Sequence, residues 1–284
     1  MSGDAEDPIA KSDLQTRFVM GVVMAAVACL AIYMGGWLFR LLVAGGAGLM
    51  LVEWGDMHRV GRRASIAVAV LLALLLLALS GWYYPPGEMD IDPLSGLAAI
   101  APESFDAVWR SVLVLAGAAV VTGALCRRVT MAGGFLYIAV PALALLLLEW
   151  AWFALVFWAM LVTWATDIFA YAAGRTIGGP KLAPRISPNK TWAGLGGGMI
   201  GAAAVGWLIA SWFDLGSPFS WIGGLMGLLA QGGDLYESWL KRRAGVKDSG
   251  TILPGHGGAL DRLDGLLPVA VASLLILMAG LWTG

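Results

Sequence analysis

Charge is scarce in this sequence. Asp, Glu, Lys and Arg make up 13% of its 284 residues, against about 25% in soluble domains. So little polar surface cannot cover a water-soluble body of this size, and the 59% hydrophobic content excludes a disordered chain. Cysteine is nearly missing. Cys29 and Cys126 lie in or beside apolar runs, far apart, so neither a disulfide framework nor a thiolate metal spacing is encoded. With His58 and His256 the only histidines, there is no paired His/Cys set for zinc. The stretch Met1 to Thr16 is polar and net acidic and lacks the basic flank of a cleaved signal peptide. The Gly-Lys-Ser/Thr order of a P-loop does not occur. A net charge of −1 does not single out a partner, and no nucleic-acid partner is expected.

What remains is an all-α integral membrane protein, in keeping with a mean hydropathy of +0.79. A spanning helix needs about 20 mostly apolar residues. Nine such runs are present, at 18–34, 37–53, 64–82, 108–126, 131–149, 151–173, 194–213, 219–240 and 266–283. Gly35-Gly36 breaks the first long apolar stretch and predicts a tight turn. Pro141 predicts a kink rather than a break. This gives a polar N-terminus (1–17), five N-terminal spans (18–149), and a four-span C-terminal part (150–284) with loops at 174–193 and 241–265. In an alternating nine-span arrangement, sixteen of the eighteen basic residues fall on one side. Cytoplasmic loops collect Lys and Arg, so the N-terminus is expected inside and the C-terminus outside. The exceptions, Arg40 and Arg110, sit near span ends. The opposite side holds the Tyr83–Ala107 loop, with five acids and no Lys or Arg.

Three polar segments gather at the expected cytoplasmic side. In the first, Trp164, Asp167, Tyr171 and Gly174 share one helix face. Asp167 lies inside an apolar run, where a charge is either functional or bonded to a neighbouring helix. In the second, Ser187-Pro188-Asn189-Lys190-Thr191, Ser187 reads as an N-cap and Pro188 as the first residue of the seventh span. That makes either a phosphate site at a helix N-terminus or an ordinary capped start. The third runs from Gln231 to Asp264. If the eighth helix continues, Asp234, Glu237, Ser238 and Lys241 form one stripe, and Asp261 and Asp264 share a face at the start of the ninth span. Between them lies a Pro/Gly-rich loop with His256. Lys241, Arg242 and Arg243 alone would serve as an orientation signal or a lipid-headgroup contact. The interleaved acids and the glycine turn instead suit phosphate chemistry with a hard divalent cation, Mg²⁺, which takes oxygen ligands.

Ser238 to Asp264 resembles the signature of the phosphatidate cytidylyltransferase (CDP-diacylglycerol synthase) family. It carries Ser238-x-Leu240-Lys241-Arg242, then Lys247-Asp248 after four residues, His256-Gly257-Gly258, and Asp261-Arg262-x-Asp264. The Asp167–Tyr171 and Ser187–Thr191 segments also look like that family's motifs. The sequence departs from the pattern at Ala259, where a larger aliphatic residue is usual, and at Ala193, where Glu commonly follows. The resemblance implies transfer of CMP from CTP to phosphatidate, Mg²⁺ dependence and a homodimer. It implies Asp234 and Asp261 as metal ligands, with Asp264, Asp248 and Asp167 as further ligands. Lys241, Arg242, Lys247 and Arg262 would hold phosphates, with Asp234, Lys241, Asp261 and Arg262 the catalytic set. Ser187, Asn189, Lys190 and Thr191 would bind the nucleotide, and His256, Gly257 and Gly258 would complete the substrate site.

The nucleophile would be a phosphate monoester, whose second pKa of about 6 leaves it largely ionised. No strong base is then required, and His256 is expected to donate a hydrogen bond or anchor its loop. Two alternatives stand beside this reading: a CTP-dependent lipid kinase acting on a polyprenol-type alcohol, and an ion-coupled transporter. The expected location is a bacterial inner membrane, with the site facing the cytoplasm.

Overall fold

Each of the nine apolar runs is centred on a helix of its own in the computed structural model, which describes residues 8–83, 102–250 and 257–282. The helices are α1 (Pro8–Met34), α2 (Gly36–Met57), α3 (Arg62–Tyr83), α4 (Pro102–Leu125), α5 (Val129–Ala151) and α6 (Phe153–Thr176). A small hairpin, β1 (Lys181–Ala183) and β2 (Ser187–Thr191), precedes α7 (Trp192–Phe213), α8 (Ser217–Ala244), the single turn α9 (Leu260–Leu263) and α10 (Leu266–Trp282). Six of them, α2 to α7, are long and apolar enough to cross a membrane, and α1 and α10 contain shorter apolar segments, Val19–Met34 and Leu266–Ala279. The long α8 turns polar in its second half, from Gln231 onward. Most of the Tyr83–Ala107 loop, His256 and the ends of the chain lie outside the described residues.

Local chemistry accounts for the breaks. Gly35 and Gly36 take φ of 58° and 56°, a left-handed region open to glycine, and turn α1 into α2. Pro141 sits within α5 and the helix passes through it unbroken. Gly245, at φ 77°, ends α8, and its N–H and that of Val246 return to the carbonyls of Arg242 and Lys241.

The Ser187 segment corrects an expectation. It is the second strand of an antiparallel hairpin, with Lys181 opposite Thr191 and Ala183 opposite Ser187, not the first turn of a helix. Pro184 stands at the second position of the connecting turn, closed by Ile186 N–H to Ala183 O at 3.0 Å, a favoured place for proline. Pro188 biases Ser187 toward extended backbone. The cap of α7 is Thr191, whose Oγ1 accepts from Gly194 N at 3.0 Å. A second correction concerns the last acids. Asp261 and Asp264 do not open one continuous helix: Asp261 is in α9, Asp264 caps it, and Gly265 separates it from α10.

Close packing of small residues sets the helix positions. On α7, a Cβ at Gly198 would meet Gln231 Nε2 of α8 at 2.6 Å and Thr166 O of α6 at 3.0 Å, so three helices converge there. On α8, a Cβ at Gly233 would meet Pro268 Cγ of α10 at 2.9 Å. Gly134 of α5 leaves room for the indole of Trp54 on α2, whose Nε1 donates to Thr130 O at 2.9 Å. Trp158 of α6, fully buried, donates to Gly206 O of α7 at 2.9 Å.

Replacing Gly198 by Leu should overpack that junction, at a cost of about 1–3 kcal/mol. Thermal melting in detergent should show a clear fall for Gly198→Leu. Gly196→Leu, whose Cβ meets nothing within 4 Å, should melt like the parent; equal melting of both would refute the packing assignment.

Candidate active site

At one end of the bundle, the last turns of α8 meet the α9–α10 junction and the hairpin before α7. Asp234 and Glu237 are one turn apart on α8, and Asp264 approaches from α9. One carboxylate oxygen from each lies within 4.8 Å of the others. Glu237 is fully buried. Its close charged contact is Lys241 Nζ, 2.6 Å from Oε2. Gly233 lets Asp264 stand this close to α8, because a Cβ there would run into the Asp264 carbonyl.

Two lysines are threaded among the acids. Lys190, from β2, places Nζ 2.6 Å from Asp234 Oδ2. Lys241 bridges Glu237 and Asp261, with 2.6 Å to Glu237 Oε2 and 2.6 Å to Asp261 Oδ1. Ser238, on the same stripe, donates to Asp234 Oδ1 at 3.3 Å.

Asp261 and Asp264, three residues apart, have opposite environments. Burial pushes the Asp261 carboxyl up, but hydrogen bonding from Glu237 and Lys241, the Gly258 N–H and the Lys241 charge outweigh it and bring it down to about 2. Its oxygens also accept from Ser249 N at 3.0 and 3.3 Å, and Gly258 N is 2.9 Å from Oδ2. Asp264 goes the other way, up to about 7. Burial is the main cause and the Asp234 carboxylate the next; the charge of Asp167 adds to them, while Gly265 N–H, at 2.7 Å, and Lys190 oppose.

The structure thus brings Asp234, Asp264, Lys190, Lys241 and Asp261 into one constellation. Asp261 occupies a position between Lys241 and backbone N–H groups rather than in the three-carboxylate cluster. Asp167 is exposed on α6, close enough for its charge to act on Asp264. Arg242, Lys247, Asp248 and Arg262 are exposed around the rim, as is Asn189 at the hairpin, while Ser187 is half-buried. Thr191 is buried and spends its hydroxyl on the α7 cap. Gly257, at φ 80°, and Gly258 form the turn into α9, where a Cβ on Gly257 would press on Asp261 Oδ2 at 2.9 Å.

Three participants were not picked out from the sequence as site residues. Glu237 belongs to the Asp234–Lys241 stripe, three residues after one and four before the other, and that spacing was the available signal. Glu53 ends the second apolar run, where a charge is a functional pointer; its oxygens reach Ser249, Ala259 and Leu260. Tyr137 of α5 gave no signal. Its ring lies 5.4 Å from Tyr236 and 5.6 Å from Trp54, and its hydroxyl is buried without a hydrogen-bond partner.

Comparison with known proteins agrees with the geometry. A model described as "Cytidylyltransferase family" matches residues 15–279. A protein of Brucella abortus biovar 1 (strain 9-941) named phosphatidate cytidylyltransferase is 37% identical over 282 residues, 95% of each chain. Proteins of the same name from Rickettsia bellii (strain RML369-C) and Mycobacterium bovis (strain ATCC BAA-935 / AF2122/97) share shorter regions. The first is 43% identical over 43% of this chain and 55% of its own. The second is 44% identical over 43% of this chain and 40% of its own. With carboxylates and lysines interleaved at the end of an apolar bundle, and a family match along nearly its whole length, this chain belongs to the cytidylyltransferase family.

Proposed function

We propose that the chain transfers CMP from CTP to phosphatidate, giving CDP-diacylglycerol and pyrophosphate for phospholipid synthesis. The observation that carries this reading is the meeting of Asp234, Glu237 and Asp264 with Lys190 and Lys241 at one end of a membrane-type bundle. Relatives similar over 95% of the chain bear the matching name. A site there can face a water-borne nucleotide on one side and a lipid on the other.

The donor set fits a hard divalent cation such as Mg²⁺. Three carboxyl groups converge, and burial, followed by the Asp234 and Asp167 charges, pushes Asp264 toward neutrality; these are oxygen ligands whose ionised form an added cation would favour. Asp234, Glu237 and Asp264 would hold the ion, which when bound supplies positive charge for phosphate oxygens. Asp261 fixes Lys241, and Asp167 and Asp248 stand further out as acids that tune the field. Lys190, Lys241, Arg242, Lys247 and Arg262 supply positive charge to the polyphosphate and to the attacking phosphate. Ser187 and Asn189 offer polar groups to the nucleotide, and Thr191 keeps their hairpin on α7. The attacking phosphate, largely ionised near neutrality, needs no protein base, so positioning and electrostatics do the catalytic work. In this reading the protein is a homodimer in a bacterial inner membrane, its site on the cytoplasmic side and its chain spanning the bilayer nine times.

Purified protein in detergent, given phosphatidate, Mg²⁺ and CTP labelled at the α-phosphorus, should yield labelled lipid and pyrophosphate. Label reaching the lipid only from the γ-position would replace the reading with a lipid kinase. Asp234→Asn and Asp264→Asn should each lower turnover by about a hundredfold or more, the scale of lost electrostatic stabilisation, without loss of folded protein.

Asp264 also predicts a pH dependence. Between the ordinary carboxyl range and about 7 the folded chain keeps a proton that the unfolded chain has released. Stability must therefore fall as pH rises through that window. Asp261, shifted down, acts oppositely but only below about pH 4, where its ordinary value lies. Cation-free protein should thus melt at lower temperature at about pH 7.5 than at about pH 5, and millimolar Mg²⁺ should remove most of the difference. A flat profile without the cation would show that these acids do not crowd one another.

A further inference from the structure

We propose that Glu53, at the far end of α2 from the Gly35 turn, is a positioning residue for this site. Its buried carboxylate clamps the two sides of the loop between α8 and α9 and so sets where Asp261, and through it Lys241, stands. The side chain is 1% exposed. Oε1 accepts from Ala259 N at 2.8 Å, and Oε2 accepts from Leu260 N at 2.9 Å and from Ser249 Oγ at 3.2 Å. These partners are about 200 residues away in sequence, so the contact joins the N-terminal helices to the catalytic loop.

Ser249 is the bridge. Its hydroxyl goes to Glu53 while its backbone N–H goes to Asp261. Leaving Glu53 unable to accept would strand three buried donors, and one of them sits on the residue that also donates to Asp261. The loop glycines fit the same purpose. A Cβ on Gly250 would lie 2.8 Å from Glu53 Cγ and Oε1, and one on Gly258 would lie 2.6 Å from Oε2. The glycine of the His-Gly-Gly turn therefore also serves a buried acid on another helix. The neighbouring Trp54 holds α2 against α5 by donating to Thr130 O, which keeps the clamp's own base in register.

Glu53 stays distant from the chemistry in this proposal, whose activity arm rests on the cytidylyltransferase reading; its other arm does not. The test uses the full chain in detergent, first without cation or substrates, by hydrogen exchange with mass spectrometry. Glu53→Gln keeps the size but turns an N–H toward the donors. Exchange in the peptide holding Ala259 and Leu260 should rise about tenfold, the equivalent of roughly 1.4 kcal/mol, while peptides of α6 and α7 stay as in the parent. In the cytidylyltransferase assay, kcat should fall at least tenfold, with KM for CTP and phosphatidate within about threefold. Glu53→Asp, which keeps the charge, should recover part of the kcat. Ser249→Ala removes only the hydroxyl and should show the same pattern more weakly, which decides the matter if Glu53→Gln does not accumulate folded. Unchanged exchange around Ala259 with parental kcat would overturn the clamp. So would a rise in exchange across all helices, which marks general loosening. A parent without cytidylyltransferase activity would defeat the proposed function and leave the exchange result to judge the clamp.

Discussion

Too much negative charge in too little water is the constraint around which this structure is arranged. Asp234, Glu237, Asp261 and Asp264 come together where α8 meets α9, and Asp167 acts on them from α6. Lys190 and Lys241 lie directly among them. Buried carboxylates must be paired, hydrogen-bonded or neutralised by protons. Asp261 is satisfied by Lys241 and two backbone N–H groups. Asp264 is not, and rises to about 7. The difference divides the acids into a finished structural pair and an unfinished cluster, and the unfinished part is where added positive charge gains most.

Holding such a cluster requires helices that cannot slide. Glycine and alanine faces supply this on α6, α7 and α8, where the helices approach so closely that Gly198, Gly223 and Gly227 leave no room for a Cβ. Small-residue packing of this kind suits helices in lipid, where apolar burial between helices gives little drive. On the other side, rings do the work: Trp54, Tyr137, Tyr236 and Trp239 form a series with centroid spacings of 5.6, 5.4 and 5.8 Å from α2 across α5 to α8. The N-terminal helices are therefore part of the site's support and not merely an anchor.

Periodicity and charge made much of this legible. The nine apolar runs, the Gly35 turn and the Asp234–Lys241 stripe follow from side-chain spacing, which a helix converts directly into faces. The Ser187 segment misled because Ser-Pro fits a helix start as well as an extended strand before proline. The choice was made by Pro184 closing a turn and by Thr191 winning the cap, both effects of neighbours. That Asp264 rather than Asp261 joins Asp234 and Glu237 was not legible either. The two are three residues apart and look alike on a continuous helix, and only the break at Gly265 and the prior claim of Lys241, Ser249 and Gly258 separate them. Glu53 and Tyr137 act across long sequence separations, and no local pattern encodes which loop a distant helix will meet.

The pairing of the lysines bears on how two anions are brought together in the proposed reaction. In the resting arrangement Lys190 and Lys241 are committed to carboxylates at 2.6 Å, so they cannot offer full charge to a phosphate. The same carboxylates are the groups best placed to engage a divalent ion. In the proposed reading, Asp234 and Glu237 would hold the ion, Lys190 would be released from Asp234, and Lys241 would stay on Asp261, which has its own ties to Ser249 and Gly258. Both ammonium groups would then be free to meet phosphate oxygens. Such an exchange of partners would tie the charge offered to phosphate to the filling of the carboxylate cluster.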